Sequence, residues 1–247
     1  MTTRQIVIDV PETVLLAERT DPVAFGREMR ILAAVKLYEL GRLSSGRAAE
    51  LAGMSRVEFL LALGRYHVFP LEAELQDRKP AMSDAISNTS PLLYLYRIGT
   101  LNWLPRLFGE IWTPVEVVRE LQEGRQRGFD VPNLAGYGWL QIVAPHSIPS
   151  EWLALDLGPG ELAVLALTLE NPNRIALLDD RLARRIAQAA GLTVWGTLKI
   201  LLEAKSEGLI DSLAPLIDKL VSAGMWLSDD LRQRVLALAG EKQDRPM

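Results

Sequence analysis

The chain has 247 residues, 49% of them apolar, and a net charge of −4, so it can build one large or two ordinary packed domains and carries no strong basic field for nucleic acid. It contains no cysteine, which excludes disulfides, thiolate catalysis and cysteine-based zinc sites. Since His67 and His146 are its two histidines, a bound metal would have to be held by oxygen atoms.

The first segment predicts one short strand and one long helix. Ile6, Ile8 and Val10 alternate with other residues, as in a strand, and Pro11 ends the run. Apolar residues then recur at helical spacing over residues 22–40, which predicts a helix.

Two short helices are predicted next, at residues 45–52 and 56–63. Small, turn-forming and apolar residues fall at the spacing of a DNA-binding helix-turn-helix: Ala49, Gly53, Met54, Ser55 and Phe59. In this interpretation Arg56 and Arg65 are the candidate DNA contacts. A plain helical hairpin that serves for packing or dimerisation explains the same spacing.

The composition changes near residue 80. All six tryptophans follow residue 100, and the first 80 residues carry 11 basic and 11 acidic residues, so the negative charge lies in the remainder. The polar stretch around Pro80 is typical of a linker. We therefore predict a small, mostly helical domain at 1–79, a linker at 80–84 and a larger domain at 85–247.

In the larger domain, short apolar runs alternate with helical patterns. Strands are predicted at 85–87, 111–112, 140–143, 175–178 and 192–195, and helices at 90–98, 101–108, 115–123, 160–170, 180–190, 197–207, 213–222 and 229–239. This alternation predicts an α/β fold with a mainly parallel sheet and helices on both faces.

Carboxylates follow the predicted strands or begin the next helices. They are Glu120, Glu161, Asp179 and Asp180, and Asn88 ends the first strand. In a parallel sheet these positions share one edge, where oxygen ligands suit Mg²⁺ or Mn²⁺. Each acid alone has a structural explanation, such as a favourable charge at a helix N-terminus. Their joint placement favours a metal site.

Residues 34–70, AVKLYELGRLSSGRAAELAGMSRVEFLLALGRYHVFP, closely resemble a small prokaryotic antitoxin family whose genes lie upstream of PIN-domain toxin genes, and the resemblance covers most of residues 5–77. It implies a DNA-contacting or dimerising body with a VapB-like role, followed by a segment that packs on a toxin and blocks it. The residues of that segment here would be Phe69, Leu71, Leu75, Arg78 and Lys79. Arg78 or Lys79 could reach an acidic pocket, although both could simply solvate the linker.

Residues 85–240 look like a VapC-like PIN domain. The motifs are SNTSPL, TPVEVVREL, LGPGELAVLALTLE and IALLDDRLARRIAQAAGLTVWGTLKILLEAK. The resemblance implies a three-layer α/β/α fold and a metal-dependent endoribonuclease. It places Glu120, Glu161 and either Asp179 or Asp180 in the site, with the hydroxyls of Thr197 and Ser90 beside them.

Asn88 departs from the family pattern, since it stands where the first-strand acid is expected. It removes one negative charge but keeps a carbonyl oxygen that can coordinate a cation. The expected consequence is weaker metal affinity.

The leading hypothesis is a fused toxin–antitoxin protein, in which the first domain restrains an RNA-cleaving PIN domain. The competing hypothesis is a DNA-binding autoregulator of its own operator, whose PIN-like half has lost catalysis and serves as a platform. A scaffold without either activity is the third. We expect a cytoplasmic homo-oligomer that does not enter a membrane, because no apolar run approaches the roughly 20 residues of a spanning helix.

Overall fold

The computed structural model describes residues 6–66, 83–148 and 157–241. The first of these ranges is helical, as predicted from residue 22 onward. Its elements are α1 (Glu12–Glu18), α2 (Pro22–Glu39), α3 (Ser45–Ala52), α4 (Arg56–Ala62) and a 3-10 turn (Leu63–Tyr66). At the start of α4, Ser55 Oγ accepts the Glu58 N–H at 3.2 Å and Glu58 Oε2 accepts the Ser55 N–H at 3.3 Å. These two bonds satisfy backbone donors that a helix start leaves free.

The strand predicted at Ile6–Val10 is wrong for this structure. Within the described residues these positions are neither strand nor helix, and the side chains of Ile6, Val7 and Ile8 are exposed. A strand requires a neighbour for its backbone groups. The sheet of the described residues contains no strand from this segment, so these residues have no strand neighbour in it.

The remainder is built on a five-stranded sheet. Its strands are β1 (Ala85–Ser87), β2 (Ile111–Thr113), β3 (Leu140–Ile142), β4 (Ile175–Leu177) and β5 (Val194–Trp195). They lie in the order β3-β2-β1-β4-β5, and every neighbouring pair is parallel. All residues of β1 and β4 are buried. Because successive strand residues point to opposite faces, both faces of the sheet are covered.

Helices connect the strands and confirm the predicted α/β class. They are α5 (Thr89–Arg97), α6 (Leu104–Leu107), α7 (Val115–Gln126), α8 (Pro159–Glu170), α9 (Arg181–Ala189), α10 (Thr197–Ser206), α11 (Ala214–Ser222) and α12 (Asp229–Leu238). Most ends agree with the sequence-based prediction to within a few residues. The exception is the helix predicted at 101–108, which is a 3-10 turn (Leu101–Trp103) followed by α6.

The α3–α4 pair packs directly on the second part of the chain. Helix α4 contacts α5 and α7, and α3 contacts α8. Val57, Phe59 and Leu60 on α4 are buried in one continuous apolar core that includes residues of the sheet. The Tyr94 hydroxyl on α5 donates to the Leu60 carbonyl at 3.1 Å. The two parts therefore share a core, which fixes α4 against the sheet edge.

The predicted linker is only partly described. Residues 80–82 lie outside the described ranges, whereas Asp84 already belongs to the sheet region, since its carbonyl accepts the Ile175 N–H at 2.9 Å. As for membranes, every described helix is too short or too polar to span a bilayer.

Candidate functional site

The carboxyl ends of the strands meet at one edge of the sheet, where polar side chains collect. Asn88 follows β1, and its Oδ1 accepts the Thr89 N–H at 2.8 Å as the cap of α5. Asp179 and Asp180 follow β4, and Asp180 caps α9 by accepting the Ala183 N–H at 3.0 Å. Parallel topology brings these positions together, and ligands of open α/β sheets bind at this edge.

Two glutamates complete this group. Glu120 lies on α7 and Glu161 in the first turn of α8. The hydroxyl of Thr89 donates a hydrogen bond to Glu120 Oε2. Glu161 is fully buried, which is rare for a glutamate unless it is paired. Asn88 and the predicted acids Glu120, Glu161 and Asp180 therefore surround one pocket, with Asp179 next to Asp180 in the chain, and we call these five residues the acid pocket.

A guanidinium from the first part of the chain occupies the acid pocket. Arg56 Nη1 lies 2.6 Å from Glu120 Oε2 and 3.1 Å from Asn88 Oδ1. Its Nη2 forms an ion pair with Glu161 Oε1. The Arg56 side chain is only 4% exposed, Glu161 0% and Glu120 14%. A single buried cation therefore bridges acids from α7 and α8.

The N-terminus of α3 enters the same pocket beside Arg56. The Ser45 N–H donates to Asp180 Oδ2 at 2.6 Å, and its hydroxyl donates to Glu161 Oε1 at 3.0 Å. Arg56 Nε donates to that hydroxyl at 3.2 Å. Helix α3 can come this close because Gly46 faces Gly158, where an added Cβ on Gly46 would lie 2.9 Å from the Gly158 Cα.

Asp179 stands apart from its neighbour Asp180. Its Oδ1 accepts the Thr197 N–H at 2.7 Å and its Oδ2 accepts the Thr197 hydroxyl at 2.6 Å, so it binds the start of α10. Arg184 is close enough to Asp179 for its charge to favour the carboxylate, and its Nη1 donates to the Leu178 carbonyl at 2.8 Å. Asp179 is thus oriented by its own domain, whereas Asp180 faces α3.

Burial shapes the ionisation of the pocket. Desolvation raises the pKa of Asp180 to about 6, and the nearby Glu161 charge adds to this. Desolvation also raises the pKa of Glu120, although the Arg56 charge opposes it, and that of Asp179, where Thr197 opposes it. For Arg56, burial disfavours the charged form, but the neighbouring carboxylates outweigh it and raise the pKa. The guanidinium is therefore held firmly charged.

The oxygen atoms of the acid pocket suit a hard divalent cation, but the Arg56 guanidinium binds several of them in this structure. Glu161 Oε2 is buried and has no hydrogen-bond partner among the described residues, so this oxygen remains available. Carboxylate and amide oxygens are the ligands that Mg²⁺ and Mn²⁺ prefer. With Arg56 between the acids, no three acidic or histidine side chains in the described ranges converge closely enough to hold a metal ion.

The residues predicted in the first part have mixed outcomes. Arg56 was expected to face DNA, but it is buried because the carboxylates bind its guanidinium. Arg65 is exposed. Gly53 ends α3 in the left-handed conformation, so it makes the turn to α4 that was predicted from the sequence. The predicted inhibitory residues lie outside the described ranges: Phe69, Leu71, Leu75, Arg78 and Lys79.

One local signal marks Arg56 in the sequence. It is the first residue of α4, directly after the Ser55 cap. A cation at that position faces the positive end of the helix dipole, which is unfavourable without a compensating anion. Ser90, which was predicted beside the acids, is buried in the first turn of α5, and its Oγ has no hydrogen-bond partner among the described residues.

Comparison with known proteins places both parts of the chain. Residues 84–241 match the family model described as a PIN domain (DUF3368). This chain belongs to the PIN domain family. Residues 1–77 match a second model, the uncharacterised protein family UPF0175, so the PIN domain is preceded here by a sequence of the antitoxin-like family.

A UPF0175 protein of Aeropyrum pernix is 42% identical over 62 residues, which are 25% of this chain and 65% of that protein. This chain thus spans just under two thirds of the length of that relative. No solved structure matches the chain. The two family matches together make the PIN protein a toxin–antitoxin-like fusion.

Proposed function

We propose that residues 85–247 are a Mg²⁺- or Mn²⁺-dependent endoribonuclease that the α3–α4 pair keeps inactive. The observation that carries the proposal is the Arg56 guanidinium, which binds Glu120, Glu161 and Asn88 at once. A PIN domain supplies the general link to metal-dependent nucleases, and the acid pocket supplies the ligands. The two occupants exclude each other, because both require the same oxygen atoms.

The chain's own residues would divide the work as follows. Glu120, Glu161 and Asp180 would hold the cation, and Asn88 would add a neutral oxygen. Asp179 keeps α10 in place through Thr197. The bound metal would activate a water molecule and stabilise the charge that develops on a phosphate oxygen of RNA. Because Asn88 is uncharged, we expect weaker metal binding than four carboxylates would give.

Inhibition in this proposal rests on charge and shape together. The guanidinium neutralises the acids that would attract a cation, and Ser45 donates to Glu161 Oε1 and Asp180 Oδ2. A phosphodiester could not approach while α3 fills the pocket, since Gly46 lies against the backbone of Gly158. Release therefore requires the α3–α4 pair to move away from α8.

The test compares RNA cleavage by full-length variants in the presence of Mn²⁺. Arg56→Ala should cleave a structureless RNA, while the wild type should not. The double variant Arg56→Ala/Glu161→Gln should be inactive, which excludes a contaminating nuclease. Arg47→Ala is the matched control, because Arg47 lies on α3 but pairs with Glu50 at the surface. An inactive Arg56→Ala protein that also binds no Mn²⁺ would contradict the proposal.

A second candidate is a DNA-binding autoregulator with an inactive PIN platform. Asn88 favours it, because that side chain acts as an ordinary helix cap and contributes no charge to the pocket. In this case the exposed Arg65 and the α3–α4 turn would contact operator DNA. A gel shift with upstream promoter DNA over a series of salt concentrations tests it. Absence of retardation at low salt would refute it.

A further inference from the structure

Two cavities adjoin at the far end of α5 from the acid pocket. Asn88 caps the start of this helix in the pocket, whereas Arg97 ends it beside the cavities. One cavity has a volume of about 360 Å³ and the other about 500 Å³, and both are open to solvent. They share Arg97, Ser222 and Ala223, so they form one continuous depression, which we call the trench.

Both parts of the chain build the trench. Leu61, Gly64 and Arg65 line it from α4 and the turn after it, and the end of α11 lines the other side. The Gly64 N–H donates to the Gly224 carbonyl at 3.0 Å, and a Cβ on Gly224 would lie 2.6 Å from the Leu61 carbonyl oxygen. The two backbones therefore meet closely there, and the trench has a defined shape while α4 is docked.

Three exposed cations line the trench: Arg65, Arg97 and Lys219. Asp130 is the acid among the described lining residues, and its carboxylate accepts the Tyr96 hydroxyl at 2.9 Å. A cation near a helix C-terminus is favourable without any ligand, which explains Arg97 or Lys219 alone. Their convergence with Arg65, from three separate elements of a chain with net charge −4, favours an anionic ligand.

Aromatic side chains accompany these cations. Trp226 lines the smaller cavity and Tyr96 the larger one, and both are partly exposed. Proteins that bind single-stranded nucleic acid combine cations that follow the phosphates with aromatic rings on which the bases stack. A duplex does not offer its bases in this way, because they are already paired and stacked. The lining of the trench therefore suits a single strand.

We infer that the trench binds single-stranded RNA and holds it near the acid pocket. The choice of RNA rests on the proposed function. Arg65 follows Arg56 by nine residues along α4 and its 3-10 turn, which is about 15 Å. A stacked strand advances about 3.4 Å per nucleotide, so about four nucleotides connect the two sites. The trench stays open while Arg56 occupies the acid pocket, so the wild type should bind RNA without cleaving it.

Fluorescence anisotropy of a labelled oligouridine tests this inference on the full-length protein in EDTA. Trp226→Leu should weaken binding about fivefold or more, because it removes a stacking surface. Lys219→Ala should weaken binding and also lower the slope of log affinity against log salt by about 0.7, as the loss of one phosphate contact requires. A change that only disturbed the fold would not lower this slope by one contact. Lys36→Ala is the matched control, because Lys36 pairs with Glu39 at the surface of α2.

Measuring without metal separates this inference from the proposed nuclease. If the wild type binds oligouridine as described and Arg56→Ala cleaves no RNA, only the proposed nuclease fails. If the wild type does not bind oligouridine, or the two trench variants bind it as tightly as Lys36→Ala does, the inference is overturned. Tighter binding of duplex DNA than of oligouridine, with a loss in Arg65→Ala but not in Lys219→Ala, would also overturn it and would favour the operator-binding alternative.

Discussion

Replacing Arg56 by alanine should lower the free energy of unfolding of the protein. Mn²⁺ should then raise that free energy in the variant but not in the wild type. The substitution removes the cation that pairs with Glu120 and Glu161, and both carboxylates remain buried. Removing one partner of a buried pair costs about 3–5 kcal/mol. Because the two carboxyl groups can take up protons instead, we expect the lower end of this range, about 3 kcal/mol.

Mn²⁺ should restore most of that loss in the Arg56→Ala protein. A ligand at 100 times its dissociation constant stabilises the folded state by about 2.7 kcal/mol. The measurement is urea unfolding at neutral pH with and without MnCl₂. The wild type should show no such gain, since its guanidinium already occupies the ligands. The stabilisation of Arg56→Ala should therefore depend on the metal concentration.

The matched control is Arg47→Ala, which removes a surface ion pair with Glu50. Exposed pairs contribute about 0–1 kcal/mol, so this variant should have almost the unfolding free energy of the wild type, and Mn²⁺ should not change it. Equal stability of Arg56→Ala and wild type, or an equal response of both to Mn²⁺, would refute the reasoning. Either result would mean that the guanidinium does not hold the acids together.

Three further changes test the pocket. Gly46→Ala places a Cβ 2.9 Å from the Gly158 Cα, so it should loosen α3, lower the free energy of unfolding in urea by about 1–3 kcal/mol and raise RNA cleavage. The control is Gly26→Ala, whose added Cβ would meet no atom within 4 Å and should neither lower that free energy nor raise cleavage. Thr197→Val removes the 2.6 Å bond to Asp179 and should cost about 1.5–3 kcal/mol in the same assay. Burial raises the folded-state pKa of Asp180 to about 6, above its unfolded value near ~3.9, so its contribution to stability is complete below about pH 4 and is lost as the pH rises through about 6. Asp180→Asn should flatten the stability profile in that window, and an unchanged slope would contradict the assignment.

Much of the α/β part follows from local sequence pattern. Buried strands such as Ile175–Leu177 are short apolar runs between turn signals, and helices begin where Pro or a capping residue stands. The rule that parallel strands share an edge was enough to place Asn88, Glu120 and Glu161 in one pocket. These predictions depend on apolar periodicity, which can be read from the sequence, and on the parallel topology that alternating strands and helices imply.

The occupant of the pocket could not be predicted in the same way. The contact between Arg56 and Glu120 joins two parts of the chain whose docking is set by shape, including the approach of Gly46 to Gly158. No local pattern encodes that approach. The strand predicted at Ile6–Val10 failed for a related reason, because alternation shows what a segment could pair with but not whether this chain supplies the partner.

Under the proposed inhibition, joining both parts in one chain would make the inhibited state independent of protein concentration. A tethered inhibitor has a fixed local concentration, so dilution does not release it, as it would release a separate protein. If docking of α3–α4 contributes about 4 kcal/mol, the open fraction is about one in a thousand. The apparent dissociation constant for Mn²⁺ then rises about a thousandfold, because only the open form binds. At a metal concentration near the dissociation constant of the open form, such a protein would stay almost entirely closed, so release would have to come from a change that weakens the contacts of Arg56 and Ser45 with the acids.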